Sequence, residues 1–246
     1  MRFGKCFLRI PMVSPFHIRR SAERGHAHHG WLDSYHSFSF ADYYDPRFMG
    51  FRSLRVINQD RVAPGRGFGT HPHRNMEIFS YVVEGALEHK DSMGNGRVLA
   101  PGQIQLMSAG TGVTHSEFNP SQDQEAHFLQ IWLTPRQHGL SPRYTEWHPD
   151  PARENDPKVL VISPDGEDGS AVIQQDAWVY RLRLAAGQEM THELGVERGL
   201  WLQVIRGDIE VSGHMLHAGD AISTEQAGLW RFVAKSDSEA LLFDLL

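Results

Sequence analysis

The chain has a single cysteine, Cys6, among 246 residues, so no disulfide can form within it. A reducing cytoplasm is therefore the expected location. It also lacks any apolar run near the roughly 20 residues that a membrane-spanning helix requires. Basic blocks are missing as well: the formal net charge is -6, and Lys and Arg are scattered. Direct nucleic-acid binding, which depends on clustered cations meeting phosphates, is not expected. The N-terminal segment mixes apolar residues with Lys5 and Arg9 and has no continuous apolar stretch, so it reads poorly as a signal peptide. Residues 1–16 are read as a tail.

What the chain has instead is turns and short apolar-alternating segments. Glycine is abundant at 23 residues. Segments 54–58, 77–83, 86–90, 103–107 and 128–133 are rich in β-branched, aromatic or alternating apolar residues and predict strands. Pro64-Gly65, Glu84-Gly85, Met93-Gly94-Asn95-Gly96 and Pro101-Gly102 separate them, the spacing of a sandwich or barrel rather than of βαβ units. Residues 141–157 carry four prolines and read as a linker. A second strand-rich half follows at 158–162, 177–184, 200–205, 208–211, 221–224, 228–233 and 240–245.

The halves, 17–140 and 158–246, share a pattern of strand, glycine turn, strand and second glycine turn, which suggests duplication of one barrel unit. Superposing Gly85 on Gly207 puts Glu193 and Gly195 where His71 and His73 stand; superposing Gly102 on Gly219 puts Phe232 and Ala234 where His115 and Glu117 stand. The second half keeps the turns and loses these side chains, so the fold does not need them.

That contrast makes Gly65-Arg66-Gly67-Phe68-Gly69-Thr70-His71-Pro72-His73 the most informative stretch. Two residues apart on an extended segment, His71 and His73 point to one face, and His115 and Glu117 repeat the spacing. Side by side in one barrel, three imidazoles and a carboxylate converge into a ligand set for a divalent first-row metal, with positions left open for substrate or dioxygen. A closed structural zinc site is the competing reading, but such sites usually recruit cysteine, and Cys6 is remote. Other residues carry less. His26, His28 and His29 read as exposed loop histidines. Glu77 either orients a ligating imidazole or is simply a polar strand residue. Met107, Phe128 and Trp132 are candidates for a substrate wall, set against the commoner role of plain core.

Thr70-His71-Pro72-His73-Arg74-Asn75-Met76-Glu77 and Ala109-Gly110-Thr111-Gly112-Val113-Thr114-His115-Ser116-Glu117 resemble the two metal-binding motifs of the pirins, within the cupin superfamily. Glu23-Arg24-Gly25, Gly30-Trp31-Leu32, the run from His36 to Pro46 and Leu54-Arg55-Val56-Ile57-Asn58 extend the likeness, which covers the chain from about Ile18 onward. Bacterial pirin-like quercetin 2,3-dioxygenases give the best match. The resemblance implies an all-β bicupin of two antiparallel barrels, with one metal in the N-terminal barrel on His71, His73, His115 and Glu117 and none in the C-terminal barrel. Iron(II) is the expected metal; zinc, manganese, cobalt, nickel and copper are chemically admissible.

The function so implied is a dioxygenase that opens the heterocyclic ring of a flavonol such as quercetin with dioxygen and releases carbon monoxide. The metal would act as a Lewis acid on the flavonol 3-hydroxyl, and Glu117, the one carboxylate of the set, would accept its proton. Two alternatives stand beside it. One is a pirin-type regulatory protein that binds metal and acts through protein contacts without turnover. The other is a metal-stabilised barrel whose flavonol chemistry is incidental.

Overall fold

The computed structural model describes residues 15–153 and 155–246. The tail expected over residues 1–16, with Cys6, lies outside the described residues up to position 14. The chain builds two sandwiches, each made of one seven-stranded and one four-stranded sheet. Among the described residues, pairing is antiparallel apart from one short parallel contact between Lys158–Ser163 and Ala171–Val172. This is the two-barrel architecture expected.

In the first barrel the large sheet runs, edge to edge, Arg143–Trp147, Ile104–Ser108, Glu77–Glu84, Ala126–Leu133, Leu54–Val62, Leu32–His36 and Gly25–His28. Facing it is a small sheet ordered Gly67–His73, Val113–Phe118, Leu87–Asp91 and Gly96–Leu99. The central strands are nearly continuous apolar runs and are buried on both faces, as Glu77–Glu84 shows at every position but its last. By contrast, Val113–Phe118 alternates, with Val113, His115 and Glu117 inside and Thr114 and Phe118 outside. The second barrel repeats the plan.

The large sheets pack against each other. One continuous core cluster takes Phe79, Ile131 and Leu133 from the first and Val161, Phe243 and Leu245 from the second. Phe79 and Phe243 meet across the junction with ring centroids 6.3 Å apart.

Two elements depart from the sequence reading. Arg143–Trp147, inside the stretch expected to be a linker, is the edge strand of the first large sheet, where it pairs with Ile104–Ser108. The prolines at 142 and 149 bracket the strand rather than dissolve it, which edge position permits. Phe16–Arg19 crosses to the other half and pairs with Ala221–Thr224. Arg20 secures the crossing with a 2.7 Å ion pair to Asp220.

Two local devices hold the barrels in shape. Gly67 stands where a Cβ would lie 2.2 Å from the Glu117 carbonyl oxygen, so only glycine lets the strands Gly67–His73 and Val113–Phe118 approach. In the second barrel His192 Nε2 donates to Asp244 Oδ2 at 2.7 Å, Lys158 Nζ donates to His192 Nδ1 at 2.8 Å, and Arg198 binds the other oxygen of Asp244. Burial alone would raise the Asp244 carboxyl, but hydrogen bonds from His192 and Arg198 outweigh it and hold the group below its ordinary value.

Gly67→Ala is expected to cost roughly 2 kcal/mol by overpacking, read as a lower urea midpoint at unchanged slope. Asp244 folds with a depressed pKa, so its contribution is complete above the unfolded value of about 3.9 and is lost as pH falls through the folded value. Asp244→Asn is expected to lose roughly 3 kcal/mol at pH 7. It should also flatten the acid limb of stability against pH, measured by denaturant titration from neutral pH down to about pH 3.

Candidate metal centre

The centre forms where two strands of the small sheet meet. His115 pairs with His71, and Val113 with His73. Regular pairing would then place Gly69 opposite Glu117, but the register shifts and Phe68 takes that place. The extra residue is a β-bulge in Gly67–His73. It reverses side-chain parity along the strand, so Phe68 and His71, three positions apart, can both serve the interior. It also frees the Gly69 carbonyl to accept a hydrogen bond from His71 Nδ1 at 2.8 Å, which leaves Nε2 of that ring as the lone-pair nitrogen.

His71, His73 and His115 converge, with one donor nitrogen from each lying within 4.8 Å of the others. The Nε2 atoms of His71 and His115 are 3.1 Å apart, and His73 Nε2 is buried without a partner. Burial first, and then the neighbouring imidazoles, push His115 down to about 3 and His73 down to about 4. These rings are therefore neutral at physiological pH, which is the ligating form. An orphaned buried nitrogen beside two nitrogens at contact distance is what a cation would satisfy, so the residues fit a divalent metal ion.

Glu117 is fully buried on the same strand as His115, two residues on. Its Oε1 accepts a 2.7 Å hydrogen bond from Ser80 Oγ, and its Oε2 accepts from Gln130 Nε2. Its carboxylate belongs to a second, overlapping donor group, His89, His115 and Glu117, all buried and again within 4.8 Å. His89 was not among the residues picked out in the sequence. His89-Lys90-Asp91 carries the same two-residue spacing and ends at the Gly94 turn, so the signal was there, although nothing in it says which strand lies alongside.

A cavity of about 290 Å³ opens beside the cluster and includes His71 in its wall, near the lower end of the range of roughly 300–1,000 Å³ usual for small-molecule sites. Phe40, Phe68 and Trp132 give it aromatic surface, while Ser34, Asp60 and Gln130 give it polar points. The Trp132 ring meets His73 edge-on at 4.8 Å, and its Nε1 donates to Gln130 Oε1 at 3.1 Å. Trp132 and Gln130 thus connect the cavity to Glu117. Asp60 is fully buried, accepts a hydrogen bond from Ser34 Oγ, and is pushed up to about 7 by desolvation.

Of the three residues considered for a substrate wall, only Trp132 lines this cavity. Met107 packs with Ile78 and Val113, and Phe128 packs with Leu32, Val62 and Val82. Both are plain core: Phe128 shares the inward face of its strand with Gln130 and Trp132 but lies further along it, among hydrocarbon, and Met107 likewise packs among apolar neighbours. Glu77 touches none of the imidazoles through a hydrogen bond; its Oε2 accepts from Ser108 Oγ at 2.6 Å and from the Gln174 backbone N–H at 3.1 Å, and it bridges to the second half of the chain. His26, His28 and His29 are exposed as expected, but His26 and His28 lie on a strand, Gly25–His28, and His29 edges the cavity.

Among the described residues the second barrel contains no equivalent donor cluster. Val211, Phe232 and Ala234 are fully buried in its apolar core, and the buried histidine of the corresponding sheet, His192, is already paired with Lys158 and Asp244.

Comparison with known proteins agrees with this architecture. The pirin family model matches residues 16–133, and the quercetinase C-terminal cupin domain model matches residues 160–245. The chain is 48% identical over 229 residues to the quercetin 2,3-dioxygenase of Escherichia coli K12, covering 93% of this chain and 98% of that one. It is 40% identical over 223 residues to a pirin-like protein of Caulobacter vibrioides, covering 89% and 95%. The crystal structure of YhhW from Escherichia coli superposes with a TM-score of 0.91 at 48% identity, covering 94% of this chain and 97% of that one. The structure of the bacterial pirin YhhW in complex with nickel(II) superposes with a TM-score of 0.89 at 47% identity, covering 94% and 98%. In sequence, in domain order and in fold, this chain belongs to the pirin family, a bicupin with its His/Glu centre in the N-terminal barrel.

Proposed function

We propose that this pirin-family oxidoreductase is a metal-dependent dioxygenase that opens the heterocyclic ring of a flavonol, taking up dioxygen and releasing carbon monoxide. One observation carries the reading: three imidazoles converge, and one of them, His71, lies in the wall of a cavity lined by aromatic side chains. The relatives named quercetin 2,3-dioxygenase support it.

His71, His73 and His115 would hold the ion, with Glu117 as the fourth ligand. When bound, the metal supplies a Lewis acid for the 3-hydroxyl and an open position for small reactants. Iron(II) is the metal proposed, and the nickel(II) complex of the related bacterial pirin makes nickel the principal competitor. The protein's own part is the proton and the pocket. Glu117 accepts the hydroxyl proton, and the hydrogen bonds from Ser80 and Gln130 hold its carboxylate in place until it does. Phe40, Phe68 and Trp132 take the flat rings and limit water around the reacting carbons. The polar side chains Ser34 and Asp60 meet ring hydroxyls at the cavity wall.

Two outcomes are expected. Protein reconstituted with iron(II), with manganese, cobalt, nickel and copper run beside it, should consume oxygen on addition of quercetin, with loss of the flavonol absorption band. The His73→Ala, Glu117→Ala double variant should be silent. If no metal supports uptake while metal still binds, the flavonol reading is wrong. Trp132→Ala should raise KM by about tenfold, since losing aromatic contact with a ligand ring costs about 1 kcal/mol or more, with a smaller change in kcat; an unchanged KM would remove Trp132 from the substrate wall.

A further inference from the structure

His89 lies on the far side of His115 from His71. The strand Val113–Phe118 runs between Gly67–His73 and Leu87–Asp91, so His115 has one histidine-bearing strand on each flank. His89 is fully buried, and Asp91 ties it down: His89 Nε2 lies 3.1 Å from Asp91 Oδ2. Asp91 is itself fixed. Its Oδ1 accepts from the Met93 and Asn95 backbone N–H groups at 2.9 and 3.1 Å, and its Oδ2 accepts from Asn95 Nδ2 at 2.9 Å. Tyr144 stacks on the His89 ring with centroids 5.2 Å apart and planes 28° apart. A ring so held has one free atom. Its Nδ1 is buried and has no hydrogen-bond partner among the described residues.

His115 shows the complementary deficit. Its Nε2 faces His71 Nε2 at 3.1 Å and is committed to the donor cluster, while its Nδ1 is buried and also has no partner. The His89 and His115 rings are 5.3 Å apart between centroids and tilted by 55°. A histidine that ligates through one nitrogen carries its proton on the other, and that N–H nearly always finds an acceptor, which fixes the tautomer and aims the ligand. With Asp91 accepting from His89 Nε2–H, His89 Nδ1 is left as an acceptor and lies on the correct flank of His115.

We propose that Asp91 and His89 form a positioning pair behind the metal centre: Asp91 sets the tautomer of His89, and His89 Nδ1 accepts the Nδ1–H of His115 and so directs His115 Nε2 to the ion. The proposal rests on the reading of His71, His73 and His115 as metal ligands. It adds two residues that bind neither metal nor substrate and act through His115 alone. The same relay gives the buried His89 the pairing that the second barrel's small sheet gives its own buried histidine, His192, which is held between Lys158 and Asp244.

The test uses cobalt(II) alone as the probe, with affinity measured against a competing chelator and the visible ligand-field spectrum recorded. His89→Gln keeps a donor for Asp91 and an acceptor for His115, so it should bind within about threefold of wild type with the same spectrum. His89→Leu removes both and should bind roughly 10–100-fold more weakly with an altered spectrum. If the leucine variant keeps wild-type affinity and spectrum, or if glutamine fails as badly as leucine, the positioning role is overturned. His73→Ala separates the two layers of the argument: if it binds cobalt as tightly as wild type, the ligand reading itself fails. If it loses cobalt while His89→Leu keeps it, only the His89 proposal falls. Should the leucine variant not fold, proton NMR of the zinc-loaded wild-type protein, with isotope-labelled histidine, decides. An exchange-protected N–H on Nδ1 of His115 supports the pair, and its absence overturns it.

Discussion

The bulged pairing of Gly67–His73 with Val113–Phe118 is the constraint on which the metal centre depends. A strand alternates strictly, so an unbroken ladder could present either Phe68 or His71 to the interior but not both. One inserted residue resolves the conflict and turns the Gly69 carbonyl toward His71 Nδ1. The close approach needed for that ladder is met by Gly67, where any side chain would strike the neighbouring backbone. Donor geometry is thus written into the backbone before any metal is considered.

The two barrels show what one scaffold can do with different interiors. In the second, Phe232 and Ala234 complete an apolar core, and the inward histidine, His192, is fully paired between Asp244 and Lys158. In the first, the equivalent sheet carries nitrogens with no partner among the described residues. Buried polar atoms left unpaired are costly, and a bound cation would offset that cost. The consolidated second barrel stabilises the first through the continuous core around Phe79 and Phe243. The half that carries the orphaned imidazole nitrogens thus shares one core with the half whose inward histidine is already paired.

The cavity and the donor cluster are joined by side chains rather than merely adjacent. Trp132 Nε1 donates to Gln130, which in turn donates to Glu117, while the Trp132 ring lies edge-on to His73. A ligand that displaces Trp132 would be felt at the carboxylate through a single intervening amide. No residue on this route except Glu117 belongs to either histidine motif.

Much of this was legible in the sequence. Apolar alternation and glycine turns located most central strands to within two or three residues, and Ala177–Leu184 and Ala221–Thr224 matched end to end. The H-x-H and H-x-E spacings named three histidines that do converge. These features are local: a period of two and a glycine turn are properties of a few consecutive residues. What could not be read is what lies across the gap. Phe16–Arg19 pairs with the opposite half, Arg143–Trp147 is an edge strand inside a proline-rich stretch, and Met107 and Phe128 meet hydrocarbon whereas Trp132, on the same strand face as Phe128, meets the cavity. The bulge, the Ser80 and Gln130 bonds to Glu117, and the placing of His89 beside His115 likewise belong to the folded chain alone. Alternation tells which side chains share a face; only long-range strand pairing, set by how the whole core closes, decides what that face meets.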